Sequence, residues 1–186
     1  MDRRGAFLST AVKAKTGCMD RLILMRHAKA ERRAAGGEDF DRGLTGEGRA
    51  DAVLMGQALA KDGLVPGVAV ISDAARTQQT WEAVREAFPK ARTVLKRELY
   101  NAGPMQILDA VEGQTAATVM VIGHNPGVHE LAMGLLTEGG AGAAVIGKVA
   151  SRFPTATAVA FVIDENGRAL YDGLFYAAEL GGSGGE

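Results

Sequence analysis

Leu22-Ile23-Leu24-Met25-Arg26-His27-Ala28 is the stretch that decides how the chain folds. Four apolar residues in succession, without alternation, read as a strand buried on both faces, of the kind found in parallel sheets with helices on each side. The run stops at a cation and an imidazole. In open α/β sheets, ligands sit beyond the carboxyl ends of the strands. An imidazole placed there, beside a fixed positive charge, suits an anionic substrate and a nitrogen nucleophile. For a lone Arg-His pair, a structural histidine at a strand end is the plainer reading, so the rest of the chain has to decide.

The pattern recurs. Val68-Ala69-Val70-Ile71 is a second buried strand and runs into Ser72-Asp73-Ala74-Ala75-Arg76-Thr77; Thr118-Val119-Met120-Val121-Ile122 is another and runs into Gly123-His124-Asn125-Pro126-Gly127. Thr93-Val94-Leu95 is a shorter strand. Helical spacing appears after Thr45, which can cap a helix carrying Ala52, Leu54-Met55 and Ala58-Leu59, stopped by Gly63 and Pro66. A second helix runs roughly from Ala75 through Ala87 with Trp81, Val84 and Phe88 toward the sheet. Others lie near Pro104–Val111 and from Val128 to Leu136. Thr157–Ile163 and Ala169–Phe175 are late strands joined by Asp164-Glu165-Asn166-Gly167, whose Asn-Gly pair signals a hairpin. Lys29–Gly43 is polar and broken by glycine, a loop long enough to be functional. Gly139–Gly142 reads as a flexible loop. The expectation is α/β: a single three-layer domain, its central sheet mostly parallel, with helices on both faces.

Composition bounds the function. The chain has 186 residues, 47% hydrophobic and 23% charged, enough for one globular domain with a real core. Its 21 basic and 22 acidic residues leave a formal net charge of -1 with no block of one sign, which argues against nucleic-acid and membrane-surface partners. No apolar run approaches the ~18 residues that read as a membrane span. The one cysteine, Cys18, excludes an internal disulfide and a cysteine-built zinc site, and fits a reducing, cytoplasmic compartment. Residues 1–18 are a weak mimic of a signal peptide, broken by Lys13 and Lys15. They read as a disordered leader or an over-extended start ahead of Met19. The domain then spans 19–178, and the Gly/Ser-rich stretch 179–186 reads as a disordered tail.

Arg26, His27, Arg76 and His124 all stand at or just past the carboxyl ends of apolar strands, so parallel neighbours bring them together. Arg76 on the first turn of a helix opposes the macrodipole by ~0.3–1 kcal/mol, a conflict that an anion at that place relieves. A phosphoryl group has three charged oxygens, and arginine forks match them bidentately. His27 is positioned to attack phosphorus and split hydrolysis into two easier steps, while the cations stabilise the charge that develops. A metal held by His27 and His124 lacks further ligands at sensible spacing. Ser72 either caps the Arg76 helix or reaches the pocket with its hydroxyl, and His129 is assigned to helix packing.

These blocks resemble the histidine phosphatase superfamily, whose signature is a strand followed by Arg-His-Gly, here Arg26-His27-Ala28. The resemblance extends over Ser72-Asp73-Ala74-Ala75-Arg76-Thr77-Gln78-Gln79-Thr80 and Val121-Ile122-Gly123-His124-Asn125-Pro126, and spans about Leu22–Phe175. Glu98-Leu99-Tyr100-Asn101-Ala102 and Gly-His-Asn-Pro look most like the SixA-type branch, the phosphohistidine phosphatases. The resemblance implies a phosphoglycerate-mutase-like fold, a phosphorylated nucleophile at His27, a phosphate pocket of Arg26, Arg76 and His124 with Asn125 beside it, and no metal or other cofactor. It offers Glu98 first, and Asp39 second, as proton donor, and places Asp39 and Arg42 at the mouth of the site. The implied substrate is a phosphorylated protein, such as a phosphorelay domain bearing phosphohistidine. A small-molecule phosphomonoesterase and a phosphate-binding module without turnover are the alternatives that remain open.

Overall fold

The computed structural model describes residues 19–34 and 36–185, so the stretch 1–18 read as a leader lies outside the described residues. In chain order the elements are β1 (Arg21–Arg26), α1 (Gly46–Lys61), β2 (Val68–Ser72), α2 (Ala75–Val84), β3 (Arg92–Lys96), α3 (Pro104–Val111), β4 (Thr118–Gly123), α4 (Gly127–Glu138), α5 (Ala143–Ser151), β5 (Ala158–Ile163) and β6 (Ala169–Phe175). Short 3-10 turns stand at Asp39–Asp41, Arg85–Ala87, Arg97–Leu99 and Ala177–Leu180.

Leu22, Ile23, Leu24 and Met25 are fully buried because β1 has a neighbour on each edge and cover on each face. The sheet order is β3-β2-β4-β1-β5-β6. The first four strands are mutually parallel, while β5 runs antiparallel to β1 and to β6. Successive side chains of a strand point to opposite faces, so β1 feeds two cores. Leu22 and Leu24 pack with Ile107, Leu108, Leu131, Leu135 and Val149. Ile23 and Met25 pack with Met55, Leu59, Trp81, Val84 and Phe88. Each such side chain contributes roughly 1.5–3 kcal/mol when fully buried, and the result is a single α/β domain of three layers with a mostly parallel sheet.

The local signals explain most boundaries. The Thr45 hydroxyl accepts the Gly48 N–H at 3.0 Å and caps α1. Gly48 itself has no room for a side chain, since a Cβ would stand 2.1 Å from the Lys29 carbonyl; the start of α1 is thus pressed onto the loop after β1. Gly127 does the same for α4, where a Cβ would lie 1.8 Å from the carbonyl of Ala102. The β5–β6 hairpin closes with Gly167 at φ +80° and its N–H on the Asp164 carbonyl at 2.8 Å.

Two regions go beyond their sequence pattern. The segment after the Gly139–Gly142 loop forms α5, of which only Val149 is buried. In the glycine-rich stretch near the C-terminus, Ser183 and Gly184 meet a buried carboxylate. Asp51 is 1% exposed, and its carboxylate accepts the Ser183 N–H at 2.8 Å, the Ser183 hydroxyl at 2.8 Å and the Gly184 N–H at 3.1 Å. A Cβ on Gly182 would sit 2.3 Å from Asp51 Oδ1, so the glycines that look like low complexity are what lets the backbone reach a buried carboxylate. Among the described residues, no helix is long and apolar enough to cross a membrane.

Candidate active site

Parallel register sets the site. Arg26 is paired with Gly123 across β1 and β4, and Ile71 with Ile122 across β2 and β4. The His27 N–H continues the ladder onto the Gly123 carbonyl at 3.0 Å. His27, His124 and the Ser72–Arg76 turn therefore leave the same edge of the sheet together.

His27 is 8% exposed, and its ring centroid lies 5.2 Å from that of His124. Its Nδ1 stands 2.8 Å from the Ala28 carbonyl oxygen. A carbonyl only accepts, so the proton is on Nδ1 and Nε2 carries the free lone pair. Ala28 is fixed in turn: its N–H donates to Thr80 Oγ1 at 3.0 Å, and that hydroxyl donates to the Arg76 carbonyl at 2.6 Å. The Thr of the second block thus ties the His27 loop to α2. Burial, with His124, Arg76 and Arg26 nearby, lowers the His27 pKa from 6.5 to about 3, against the opposing Ala28 hydrogen bond. The ring is neutral at physiological pH.

His124 is 5% exposed, and its Nε2 is 2.9 Å from Ser72 Oγ. That hydroxyl accepts the Ala74 N–H at 3.4 Å, so its own proton is available for Nε2. With Ser72 donating to Nε2, the His124 proton sits on Nδ1, a buried nitrogen with no protein partner among the described residues. Ser72 does not cap α2, whose N-cap residue is Ala74 with no side-chain bond; it orients His124. Burial and then Arg76 lower the His124 pKa to about 4, with Asp39 working the other way.

Both shifts make stability depend on pH, with a definite sign. Below about pH 6.5 the unfolded imidazoles take up protons that the folded ones refuse until pH 4 to 3. The unfolded state then binds more protons, so stability is full above pH 6.5 and falls with acid. Between pH 7 and pH 5 the loss is about 2 kcal/mol per imidazole. Urea unfolding of wild type and His124→Gln at the two pH values checks this, the variant losing the smaller amount on acidification; equal slopes would contradict it.

The arginines are held by the loops around them. Arg26 Nη1 donates to the Phe153 carbonyl at 2.8 Å, and Asn125 Nδ2 donates to the same oxygen at 3.1 Å. Arg76 is 4% exposed; its Nη1 donates to the Asp39 carbonyl at 2.7 Å and its Nη2 to Asp39 Oδ2 at 3.1 Å. The Asp39 carboxylate also accepts from Arg42 Nε at 2.8 Å and from the Tyr100 hydroxyl at 2.7 Å. The Tyr100 hydroxyl foremost, then Arg76 and Arg42, hold the Asp39 pKa below the usual carboxylate range. Tyr100 stands edge-on to His124 with centroids 5.4 Å apart. Two open clefts flank the cluster. One of about 290 Å³ is lined by Arg32, Arg33, Asp39 and Arg42, and one of about 460 Å³ by Arg26, Asn125, Arg152, Phe153 and Pro154.

Arg26, His27, Arg76, His124, Asn125, Asp39 and Arg42 are thus brought to one place, and Glu98 is not. Its carboxylate is on the exposed 3-10 turn, 3.1 Å from Lys96 Nζ, and its own backbone N–H and Lys96 lower its pKa. The position at the mouth is filled by Tyr100, two residues on. Reading the residues missed Tyr100 as a site member, although it lies inside the Glu98–Ala102 segment that carries the branch resemblance. His129 packs as expected, with Nε2 2.9 Å from the Val149 carbonyl and its ring stacked on Phe153 at 5.1 Å.

Comparison with known proteins agrees with this geometry. The profile of the histidine phosphatase superfamily (branch 1) matches residues 22–115. An uncharacterised chloroplastic protein of Arabidopsis thaliana is 31% identical over 140 residues, 66% of this chain; the match spans 62% of that relative's length. The SixA candidate phosphohistidine phosphatase of Agrobacterium tumefaciens superposes with a TM-score of 0.74 at 30% identity, covering 84% of this chain and 97% of that one. Phosphoglycerate mutase from Plasmodium falciparum shares the fold, with a TM-score of 0.55 at 21% identity over 84% of this chain and 90% of that one.

Proposed function

Because the chain belongs to the histidine phosphatase superfamily, we propose that it hydrolyses phosphohistidine on a cytoplasmic protein, with His27 as the group that takes the phosphoryl. In the first step His27 Nε2 attacks phosphorus, the P–N bond to the substrate imidazole breaks, and a phosphoryl-His27 forms. In the second step water attacks that phosphorus, the bond to Nε2 breaks, and inorganic phosphate leaves. Arg26 and Arg76 offset the charge on the non-bridging oxygens, and the His124 Nδ1–H supplies a further donor. The loop carbonyl of Phe153 holds Arg26 and Asn125 in register for this.

One observation carries the choice of phosphohistidine over an ester. The Asp39 carboxylate is taken up by Arg76, Arg42 and the Tyr100 hydroxyl, and Glu98 lies on an exposed turn against Lys96, so neither offers a proton to the site. An alkoxide leaving group needs a proton at the moment the P–O bond breaks. An imidazole has a second ring nitrogen that can carry a proton beforehand, so the labile P–N bond breaks without an enzyme acid. The open clefts on both sides suit a side chain presented on a protein surface.

The test compares phosphate release from a phosphohistidine-bearing protein with release from a panel of aliphatic phosphate monoesters. The expected preference in kcat/KM for phosphohistidine is on the order of 10²-fold or more, the scale of one missing general acid. Equal or faster release from one small ester would overturn the proposal.

A further inference from the structure

We propose that Asp39 is a positioning residue that grips Arg76 end-on, so that the Nε–H and Nη2–H edge of the guanidinium is left for the phosphoryl group. This rests on the phosphatase reading above. A guanidinium presents five N–H donors in one plane and can offer two different forks, one from Nη1 and Nη2 and one from Nε and Nη2. Asp39 occupies the first of these with two kinds of acceptor from one residue: its main-chain carbonyl on Nη1 at 2.7 Å and its carboxylate on Nη2 at 3.1 Å. The second fork is untouched. Arg76 Nε is buried and has no partner among the described residues, and the other Nη2 hydrogen lies beside it.

Asp39 is itself fixed from the outside. Arg42 Nε donates to Oδ1, and the Tyr100 hydroxyl donates to the same Oδ2 that receives Arg76. Its side chain is about half exposed, at 54%, so Asp39 needs no buried partner for its own solvation. The need is on the side of Arg76, a buried cation on the first turn of α2, where the helix dipole also disfavours positive charge. An anion pinned from a loop 37 positions earlier holds the guanidinium plane before substrate arrives. The same three donors make Asp39 a poor proton donor, since a protonated carboxyl would give up the charge that Arg42 and Arg76 are arranged around.

The test titrates inorganic tungstate, a tetrahedral oxyanion, into the full chain as wild type, Asp39→Asn and Tyr100→Phe, by calorimetry and by the Arg76 Nε–H resonance. A melting curve accompanies each variant, and Tyr100→Phe keeps the test open should Asp39→Asn fold poorly. Expected are a shifted Nε–H on binding to wild type, about tenfold weaker binding in Asp39→Asn and a smaller loss in Tyr100→Phe. In turnover, Asp39→Asn raises KM more than it lowers kcat, and the pH profile of kcat/KM keeps its shape. Undiminished tungstate binding in Asp39→Asn, or an unmoved Nε–H in the bound wild type, would overturn the positioning role. So would retained binding with a collapsed kcat and a lost alkaline limb, the pattern of a proton donor. Wild type that binds no tungstate would bring down the phosphatase reading itself, a result distinct from the others.

Discussion

His27→Ala abolishes turnover, with kcat/KM for phosphohistidine falling by at least about 10³-fold, while the melting temperature stays close to that of wild type. The size of the effect follows from where the residue sits. Its Nδ1 proton is committed to the Ala28 carbonyl, which leaves the Nε2 lone pair free, its ring lies 5.2 Å from that of His124, and His124 Nε2 is committed to Ser72. The fold survives because the loop is held by main-chain bonds, His27 N–H to Gly123 and Ala156 N–H to the His27 carbonyl. Steady-state kinetics beside a thermal melt separates the two effects. Activity within tenfold of wild type would remove His27 from the chemistry.

The second large effect is expected from Arg76→Lys. Lysine keeps the charge and loses the fork, so the variant isolates geometry from electrostatics. Arg76 makes two bonds to Asp39 and has an Nε–H to spare; an ammonium cannot satisfy both the aspartate and a phosphoryl edge from one nitrogen. The expected loss is about 10²–10³-fold in kcat/KM, the scale of removing one preorganised donor from a transition state. Measured on the phosphohistidine protein and on a small phosphoramidate, the loss should be the same for both, since the contact proposed for Arg76 is to the phosphoryl group that they share. A loss confined to the protein substrate would place Arg76 in partner recognition instead.

What the sequence shows and what it hides have physical reasons. Leu22–Met25 is legible because a strand with sheet on both edges and helices on both faces tolerates nothing polar, and its end is marked by the first charge. Arg76 is legible as a mismatch, a cation at a helix N-terminus, and Asp39 supplies part of the anion that this called for. Tyr100 and Ser72 are hidden because their roles lie in hydroxyl bonds to partners 61 and 52 positions away, which no local period reports. For Glu98, chain order shows only that it lies between the second arginine and the second histidine, while the 3-10 turn sets it against Lys96. α5 is missed since Gly142 and Gly147 interrupt a short run with one buried residue. The C-terminal glycines read as disorder because composition cannot show that they close on the carboxylate of Asp51.

Capture of the phosphoenzyme is the direct test of His27 as the group that takes the phosphoryl. The protein is mixed with phosphohistidine substrate labelled on phosphorus, quenched within milliseconds in alkali, where a phosphoryl-imidazole persists, and digested for peptide mapping. One labelled peptide is expected, carrying the phosphoryl group on His27, with the label chased by water into inorganic phosphate and absent from His27→Ala. Full turnover with no labelled histidine, or a label on His124, would contradict that role.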